Sequence, residues 1–261
     1  MTLTRLADGR DLETWEGGDP DGFPVVLFPG CPDSRLIART GDLAARELGV
    51  RLIAVNRPGY GRSTPTATDH LSVAADVAGV VGPRPLAALG MSVGGPFALA
   101  LAAHLPQHVT AAAVVGAPHW DREGVSPGPR ELFEAPFLEF RSRIDPADPD
   151  DAALAARWAG TDPALVRRVA RELAEEAREA LSCPEGYLSD AVITFRPWAF
   201  ALDDVRCPVH LWYGDGDQPE RGEALAAGLR DGRLTVRPGT GHLGALLDHW
   251  PEVLRTLISS S

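Results

Sequence analysis

The sequence predicts an α/β fold with a mostly parallel sheet that is interrupted by one helical insertion. In the first 120 residues, short apolar segments alternate with helical patterns. From residue 121 to residue 205 the patterns are helical throughout, and the alternation resumes from 206 to 261. We therefore expect a core domain made of residues 1–120 and 206–261, with residues 121–205 as a separate inserted unit.

The strands of the first part are apolar runs bounded by turn residues. The sequence predicts an antiparallel strand at 11–16, followed by buried strands at 24–28, 51–56, 85–89 and 110–116. It predicts intervening helices at 35–48, 69–80 and 96–103, the first of which ends at Gly49. Strands joined by helices in this way form parallel pairs with crossover connections.

The clearest helix of the insertion is expected to begin at Asp162, a capping residue, followed by Pro163 at the first helical position. Apolar residues then recur every fourth position, opposite a face rich in Arg and Glu, at Leu165, Val169, Leu173, Ala177 and Leu181. This pattern predicts an amphipathic helix that packs on another surface. After the insertion we expect strands at 208–213 and 234–237 and helices at 220–229 and 243–258.

The composition is that of a soluble globular protein: 261 residues, of which 44% are hydrophobic and 23% charged. The net charge of -11 argues against nucleic acid or an anionic membrane as a partner, so a small molecule is the expected ligand. All 25 basic residues are arginines. The absence of lysine excludes a Walker phosphate loop, a pyridoxal Schiff base and a Ser-Lys dyad.

The three cysteines, Cys31, Cys183 and Cys207, lack the paired spacing of a zinc site or a disulfide framework. We interpret them as reduced thiols of a cytoplasmic protein. Residues 1–10 contain no apolar run, so no secretory signal is expected. The uncharged stretch 85–120 is interrupted by Gly and Pro, which favours a buried strand, helix and strand over a membrane span.

A candidate nucleophile lies in Gly90-Met91-Ser92-Val93-Gly94, which matches the Gly-x-Ser-x-Gly pattern of a strained turn between a strand and a helix. Gly124-Val125-Ser126-Pro127-Gly128 matches the same letters. The residue after the serine must donate its N–H to an oxyanion, and proline has none. Context therefore favours Ser92, which follows a predicted strand and precedes a predicted helix.

A serine nucleophile needs a base, and the base needs an acid that orients it. His242 lies in Gly239-Thr240-Gly241-His242-Leu243-Gly244, just after the last predicted strand, where open α/β sheets place their sites. The loop after the preceding strand carries Asp215 and Asp217. Pro219 and Glu220 follow where a calcium loop would need a ligand and a glycine, so metal binding is not expected.

These motifs resemble the α/β-hydrolase superfamily, and the likeness covers both sides of the insertion. The order Ser92, Asp217, His242 is that of the superfamily, whose usual spacing of Gly and acid favours Asp217 over Asp215. The resemblance implies a mostly parallel eight-stranded sheet with helices on both faces, and makes residues 121–205 a helical cap. Residues 57–63 are likewise similar to a turn that many members carry.

The resemblance also implies an oxyanion hole formed by the backbone N–H groups of Cys31, in the turn 28–32, and Val93. Pro29 stands where many members have a histidine, and the loop after Asp217 is short. The Cys31 thiol is a second, less favoured nucleophile. Aromatic residues are dense in the insertion, and the expected pocket residues are His119, Trp120, Phe133, Phe137 and Trp198.

The expected activity is that of a serine esterase that cleaves an apolar carboxylic ester or related acyl compound through an acyl-enzyme, without metal or organic cofactor. Two alternatives use the same residues differently. One is a lyase, carbon-carbon hydrolase or cyclase that needs no cofactor, and the other is a hydrolase-like binding protein. Reaction of Ser92 with a fluorophosphonate and turnover of esters discriminate among the three.

Overall fold

The computed structural model describes residues 1–118, 130–159 and 163–259. Eight strands within these ranges form one sheet, in the order β1-β2-β4-β3-β5-β6-β7-β8. The strands are β1 (Thr2–Arg5), β2 (Asp11–Gly18), β3 (Phe23–Phe28), β4 (Val50–Val55), β5 (Leu86–Met91), β6 (Val109–Val115), β7 (Val209–Gly214) and β8 (Gly232–Arg237). β2 pairs antiparallel with β1 and β4, and β3 to β8 are parallel. The predicted α/β fold is confirmed.

Helices cover both faces of the sheet. In the core domain they are α1 (Asp42–Glu47), α2 (His70–Val81), α3 (Gly94–His104), α9 (Pro219–Gly228), α10 (Gly244–Leu247) and α11 (Trp250–Ile258). Successive side chains of β3 alternate between two apolar cores, as strand geometry requires. Val26 and Phe28 belong to the core under α2 and α3, whereas Val25 and Leu27 belong to the core under α1 and α11.

The described chain between β6 and β7 consists of helices joined by turns and loops, and these described residues contain no strand. It contains α4 (Glu134–Ile144), α5 (Asp151–Ala159), α6 (Pro163–Arg168), α7 (Ala170–Leu181) and α8 (Pro184–Thr194). We call the described part of 130–204 the helical insertion. Its helices share a small apolar cluster that includes Phe137, Leu154 and Leu181, while Leu173 of α7 joins the core on the α11 side of the sheet. The insertion is thus packed onto the core domain.

Several elements differ from the sequence-based expectation. β1 was not predicted, because it is a short and mostly exposed strand held by backbone pairing to β2. The predicted helix 35–48 starts as a 3-10 helix, Arg35–Gly41, and continues as α1. The predicted helix 243–258 is split into α10 and α11, since Pro251 has no N–H for a bond to the Leu247 carbonyl.

The long amphipathic helix of the insertion is also split. Val169 leaves helical geometry, with a φ of -130°, and separates α6 from α7. A spacing of four residues continues across such a break, so the apolar pattern gave no sign of it. The predicted cap at Asp162 lies outside the described residues. None of the helices in the described ranges is long and apolar enough to cross a membrane.

Candidate active site

Ser92 follows β5 directly and has a φ of 52°, a left-handed conformation that is strained for any residue except glycine. Its backbone N–H donates to the Val115 carbonyl at 2.7 Å, which fixes the turn against β6. A side chain on Gly94 would overlap the carbonyls of Phe28 and Pro29. The turn therefore needs glycine there, and it projects the serine hydroxyl beyond the carboxyl end of the sheet.

His242 and Asp217 come from the loops after β8 and β7. His242 Nδ1 lies 2.7 Å from Asp217 Oδ2. Asp215 points elsewhere, because its carboxylate accepts from the Gly239 N–H at 3.0 Å. The structure therefore brings Asp217, and not Asp215, to the imidazole. Gly116, with a φ of 60°, lies under the pair, and an added Cβ would come within 2.7 Å of both side chains.

The surroundings of His242 act on its pKa in opposite directions. Burial alone would lower the pKa of His242, because it penalises the imidazolium cation. The hydrogen bond and negative charge of Asp217 favour the cation more strongly, so the pKa is raised above its ordinary value of 6.5. Since Nδ1 is engaged with Asp217, Nε2 is the nitrogen left to exchange a proton with another group.

Ser92 and His242 line one cavity of about 190 Å³. Three parts of the chain form the walls of the cavity. The turn after β3 contributes Cys31, Pro32 and Asp33, and the end of β5 contributes Met91. The helical insertion contributes Phe140, Trp158 and Ala159. Leu243 completes the described lining beside His242. Most of this surface is apolar. The cavity therefore gives an organic substrate access to the serine hydroxyl and the imidazole at once.

The amides of Cys31 and Val93 are the expected oxyanion donors. Neither donates a hydrogen bond to another residue of the described chain, so both remain available to a ligand. Cys31 is half-buried at the cavity wall, and the loss of solvent around its thiol raises the pKa of the thiol well above the ordinary value. The thiol therefore stays protonated at neutral pH and is a poor nucleophile, which disfavours the alternative role considered for it.

The oxyanion turn is braced from behind by Arg57, a residue that sequence analysis did not single out. Its guanidinium donates to the carbonyls of Pro29 and Gly30 at 2.5 and 2.6 Å. The same group is paired with Asp190 of α8, with Nε and Oδ1 3.0 Å apart, and both side chains are buried. Arg57 thus connects the turn to the helical insertion. The sequence signal that could have identified Arg57 was the likeness of residues 57–63 to a turn that many members of the α/β-hydrolase superfamily carry.

The expected pocket residues are only partly described, and those that are do not line the cavity. Phe133 stacks on Phe195 with ring centroids 5.7 Å apart, and Phe137 packs on Tyr187 at 4.8 Å, both within the insertion. Trp198 stacks on Phe200 with ring centroids 5.5 Å apart, and both rings pack against the apolar core under α2 and α3. These aromatics serve packing, and Phe140 and Trp158 line the cavity instead. His119, Trp120 and Ser126 lie outside the described residues.

Comparison with known proteins agrees with this architecture. The sequence profile of the alpha/beta hydrolase family matches residues 25–256. The enol-lactonase from Burkholderia xenovorans LB400 is similar in structure, with a TM-score of 0.74, 17% identity, and coverage of 99% of this chain and 100% of that chain. An esterase from Exiguobacterium antarcticum has a TM-score of 0.70, 21% identity, and coverage of 99% and 98%.

A thermophilic esterase from Thermogutta terrifontis has a TM-score of 0.66 and 18% identity, and the alignment covers 99% of this chain and 95% of that chain. At such identities the solved structures establish the shared fold alone. No curated protein matches the chain. The family match spans most of the sequence and includes both parts of the core domain, so the chain is a member of the alpha/beta hydrolase family.

Proposed function

We propose that the protein is a serine hydrolase that cleaves a carboxylic ester or a related acyl compound. The observation that carries the proposal is the pairing of His242 with Asp217 at 2.7 Å, beside a cavity that the imidazole shares with Ser92. A strained serine, an oriented imidazole and free amides in one cavity are the parts that acyl transfer needs. Related structures that are described as esterases or lactonases are consistent with this activity.

In the proposed mechanism, His242 Nε2 takes the Ser92 proton as the hydroxyl attacks the substrate carbonyl. Asp217 holds the imidazole in the tautomer with Nδ1 protonated and stabilises the cation that forms. The amides of Cys31 and Val93 bind the oxyanion, and loss of one such donor costs about 3 to 4 kcal/mol of transition-state stabilisation. His242 then protonates the leaving alcohol, and water attacks the acyl-enzyme with the same base.

The helical insertion is proposed to act as a cap over the site. It supplies Phe140 and Trp158 to the cavity, and these rings exclude water from the acyl group. With Met91, Ala159 and Leu243 also present, the described lining favours an acyl or alcohol group of mostly apolar character. Substrate selection is therefore assigned to the insertion and the turn after β3 together.

Fluorophosphonate labelling and an ester panel test this function. Wild type is expected to react with the fluorophosphonate at Ser92 and to hydrolyse p-nitrophenyl esters of short to medium acyl chains. Ser92→Ala is expected to abolish both. Ser126→Ala is the matched control, because Ser126 has the same Gly-x-Ser-x-Gly letters, and it is expected to behave as wild type. Labelling of Ser92 without turnover of any ester would instead indicate a lyase or carbon-carbon hydrolase.

A further inference from the structure

Asp33 places a second carboxylate beside the candidate nucleophile. It follows Cys31 in the turn after β3 and lines the same cavity as Ser92 and His242. Its side chain lies over Gly30: an added Cβ on Gly30 would overlap Asp33 Oδ2 and come within 3.3 Å of the Ser92 Cβ. The Asp33 carboxylate therefore lies near the Ser92 side chain, on the other side of the Gly30 backbone position, although the proposed mechanism gives it no role.

The Asp33 carboxylate accepts a hydrogen bond from the Gly30 backbone, but the charges around it leave it without a side-chain partner among the described residues. Arg57 is the cation that acts on it most strongly, but the Arg57 guanidinium is already bonded to Asp190 and to two carbonyls. No ion pair in the described part of the chain includes Asp33. His242 also attracts it, whereas Asp190 repels it. Burial raises the pKa of Asp33 to about 6, so the carboxylate is largely ionised at neutral pH.

An aromatic ring of the insertion lines the same cavity. Trp158 of α5 contributes the larger ring, and the Phe140 ring lies beside it with centroids 6.0 Å apart. The Arg143 guanidinium already lies over Phe140, at 5.3 Å from its centroid, whereas no cation among the described residues lies over the half-buried Trp158. Indole is the ring that attracts cations most strongly, and the attraction grows when water is excluded.

We infer that Asp33 and Trp158 form a subsite for a positively charged ammonium group carried by the substrate near its scissile carbonyl. The inference rests on the proposed ester hydrolysis and specifies its substrate class. The carboxylate supplies Coulombic attraction in a cavity of low polarity, and the indole supplies cation-π attraction. The same carboxylate disfavours substrates with a free carboxylate at that position, because like charges repel there.

Binding to a variant that cannot turn over tests the subsite directly. In the Ser92→Ala background, calorimetric titration compares butyrylcholine with its uncharged isostere, in which a tert-butyl group replaces the trimethylammonium group. We expect the choline ester to bind about tenfold more tightly. Adding Asp33→Asn is expected to remove the preference. Adding Glu139→Gln, which removes an exposed charge from α4, is expected to keep it.

The outcomes separate this inference from the function on which it rests. Equal binding of the two esters, no binding of the choline ester, or a preference that survives Asp33→Asn would overturn the subsite. Thermal unfolding of each variant shows whether the fold is retained. Preferential binding without hydrolysis by wild type would instead leave the subsite in place and refute the ester hydrolase. Hydrolysis of the neutral ester without any preference for the cationic ester would refute the subsite and leave the ester hydrolase in place.

Discussion

Ser92, Asp217 and His242 owe their positions to loops that leave the parallel strands β5, β7 and β8 at the same edge of the sheet. The strained φ of 52° at Ser92 is tolerated because the Val115 carbonyl holds its N–H and Gly94 leaves room for the turn. The imidazole is fixed in the same way by Asp217 on one side and the bare backbone of Gly116 below. Small residues and backbone bonds therefore set the geometry on which the proposed chemistry depends.

The raised pKa of His242 predicts the pH dependence of hydrolysis. The imidazole must be neutral to accept the serine proton, and its pKa lies above 6.5. We therefore expect kcat/KM for an uncharged p-nitrophenyl ester to rise with pH through a midpoint above 6.5, and to fall as the pH drops below it. Initial rates between about pH 5 and 9 measure this profile.

The same profile in Asp217→Asn provides the control. Without the carboxylate the cation loses its main stabiliser, so the midpoint should move to lower pH and kcat should fall roughly a thousandfold or more. Asp215→Asn removes a carboxylate two positions away that bonds to Gly239, and it should leave the midpoint unchanged. A wild-type midpoint clearly below 6.5, or equal effects of both variants, would contradict the role given to Asp217.

Individual residues of the candidate site differ in how far sequence could predict them. Ser92 and His242 are identified by short motifs at strand ends, since the steric needs of the turn restrict its letters. Asp215 and Asp217 are alike in type and lie in the same loop; the superfamily's spacing favours Asp217, and the path of the loop brings Asp217 to the imidazole. Asp33 belongs to no motif, and its closeness to Ser92 arises from the folding of β3 beside β5.

Among the elements, the turn after β4 positions the oxyanion turn, although its polar sequence is typical of an exposed loop. Arg57 is 2% exposed and bonds the two carbonyls that precede the Cys31 amide. Where many family members have a histidine the chain has Pro29, which has no side-chain donor, and the guanidinium fixes the backbone instead. The position of one oxyanion donor thus depends on a residue of another loop and on Asp190 of the insertion.

Arg57→Lys tests this positioning role. A single ammonium cannot reproduce the forked contacts to two carbonyls and a carboxylate, so the turn should shift and misplace the Cys31 amide. We expect kcat for a p-nitrophenyl ester to fall by about tenfold to a hundredfold with KM little changed, because the oxyanion forms only in the transition state.

Arg62→Lys is the matched control for Arg57→Lys. It makes the same substitution in the same turn, at an exposed side chain that pairs with Glu13, and it should keep kcat within about twofold of wild type. Thermal unfolding of both variants separates loss of fold from loss of geometry. A folded Arg57→Lys enzyme with unchanged kcat, or one in which only KM rises, would show that Arg57 is merely structural.

The order of elements was predictable because buried parallel strands are apolar runs and amphipathic helices show their period. The prediction of secondary structure was wrong where strand pairing or a local change of backbone geometry determines the element. β1 is mostly exposed and is defined by pairing with β2, and the break at Val169 leaves the apolar spacing intact. Phe140 and Trp158, which line the cavity, belong to the aromatic residues of the insertion but were not singled out, since an aromatic residue that packs and one that faces a ligand look alike in sequence.

At the scale of the whole molecule, buried polar bonds join the helical insertion to the core domain. Glu176 of α7 is fully buried, and its carboxyl accepts from the backbone and hydroxyl of Ser34, the latter at 2.8 Å. Burial, and then repulsion from Asp33, raise the pKa of Glu176 well above its ordinary value of 4.5. A neutral carboxyl group therefore links α7 to the segment that follows the oxyanion turn.

Glu176→Ala is expected to destabilise the protein by about 2 kcal/mol, because it leaves the Ser34 donors buried without an acceptor. The raised pKa gives this loss a pH dependence. The stabilising contribution of the neutral carboxyl is complete below the unfolded pKa and is lost as the pH rises through the folded one. Urea unfolding should therefore show a larger difference from wild type at about pH 6 than at about pH 8.5.

Glu139→Ala, on an exposed position of α4, should change stability by less than about 0.5 kcal/mol at either pH. If the difference instead grew with pH, Glu176 would be ionised in the native protein and the link between insertion and core would be ionic.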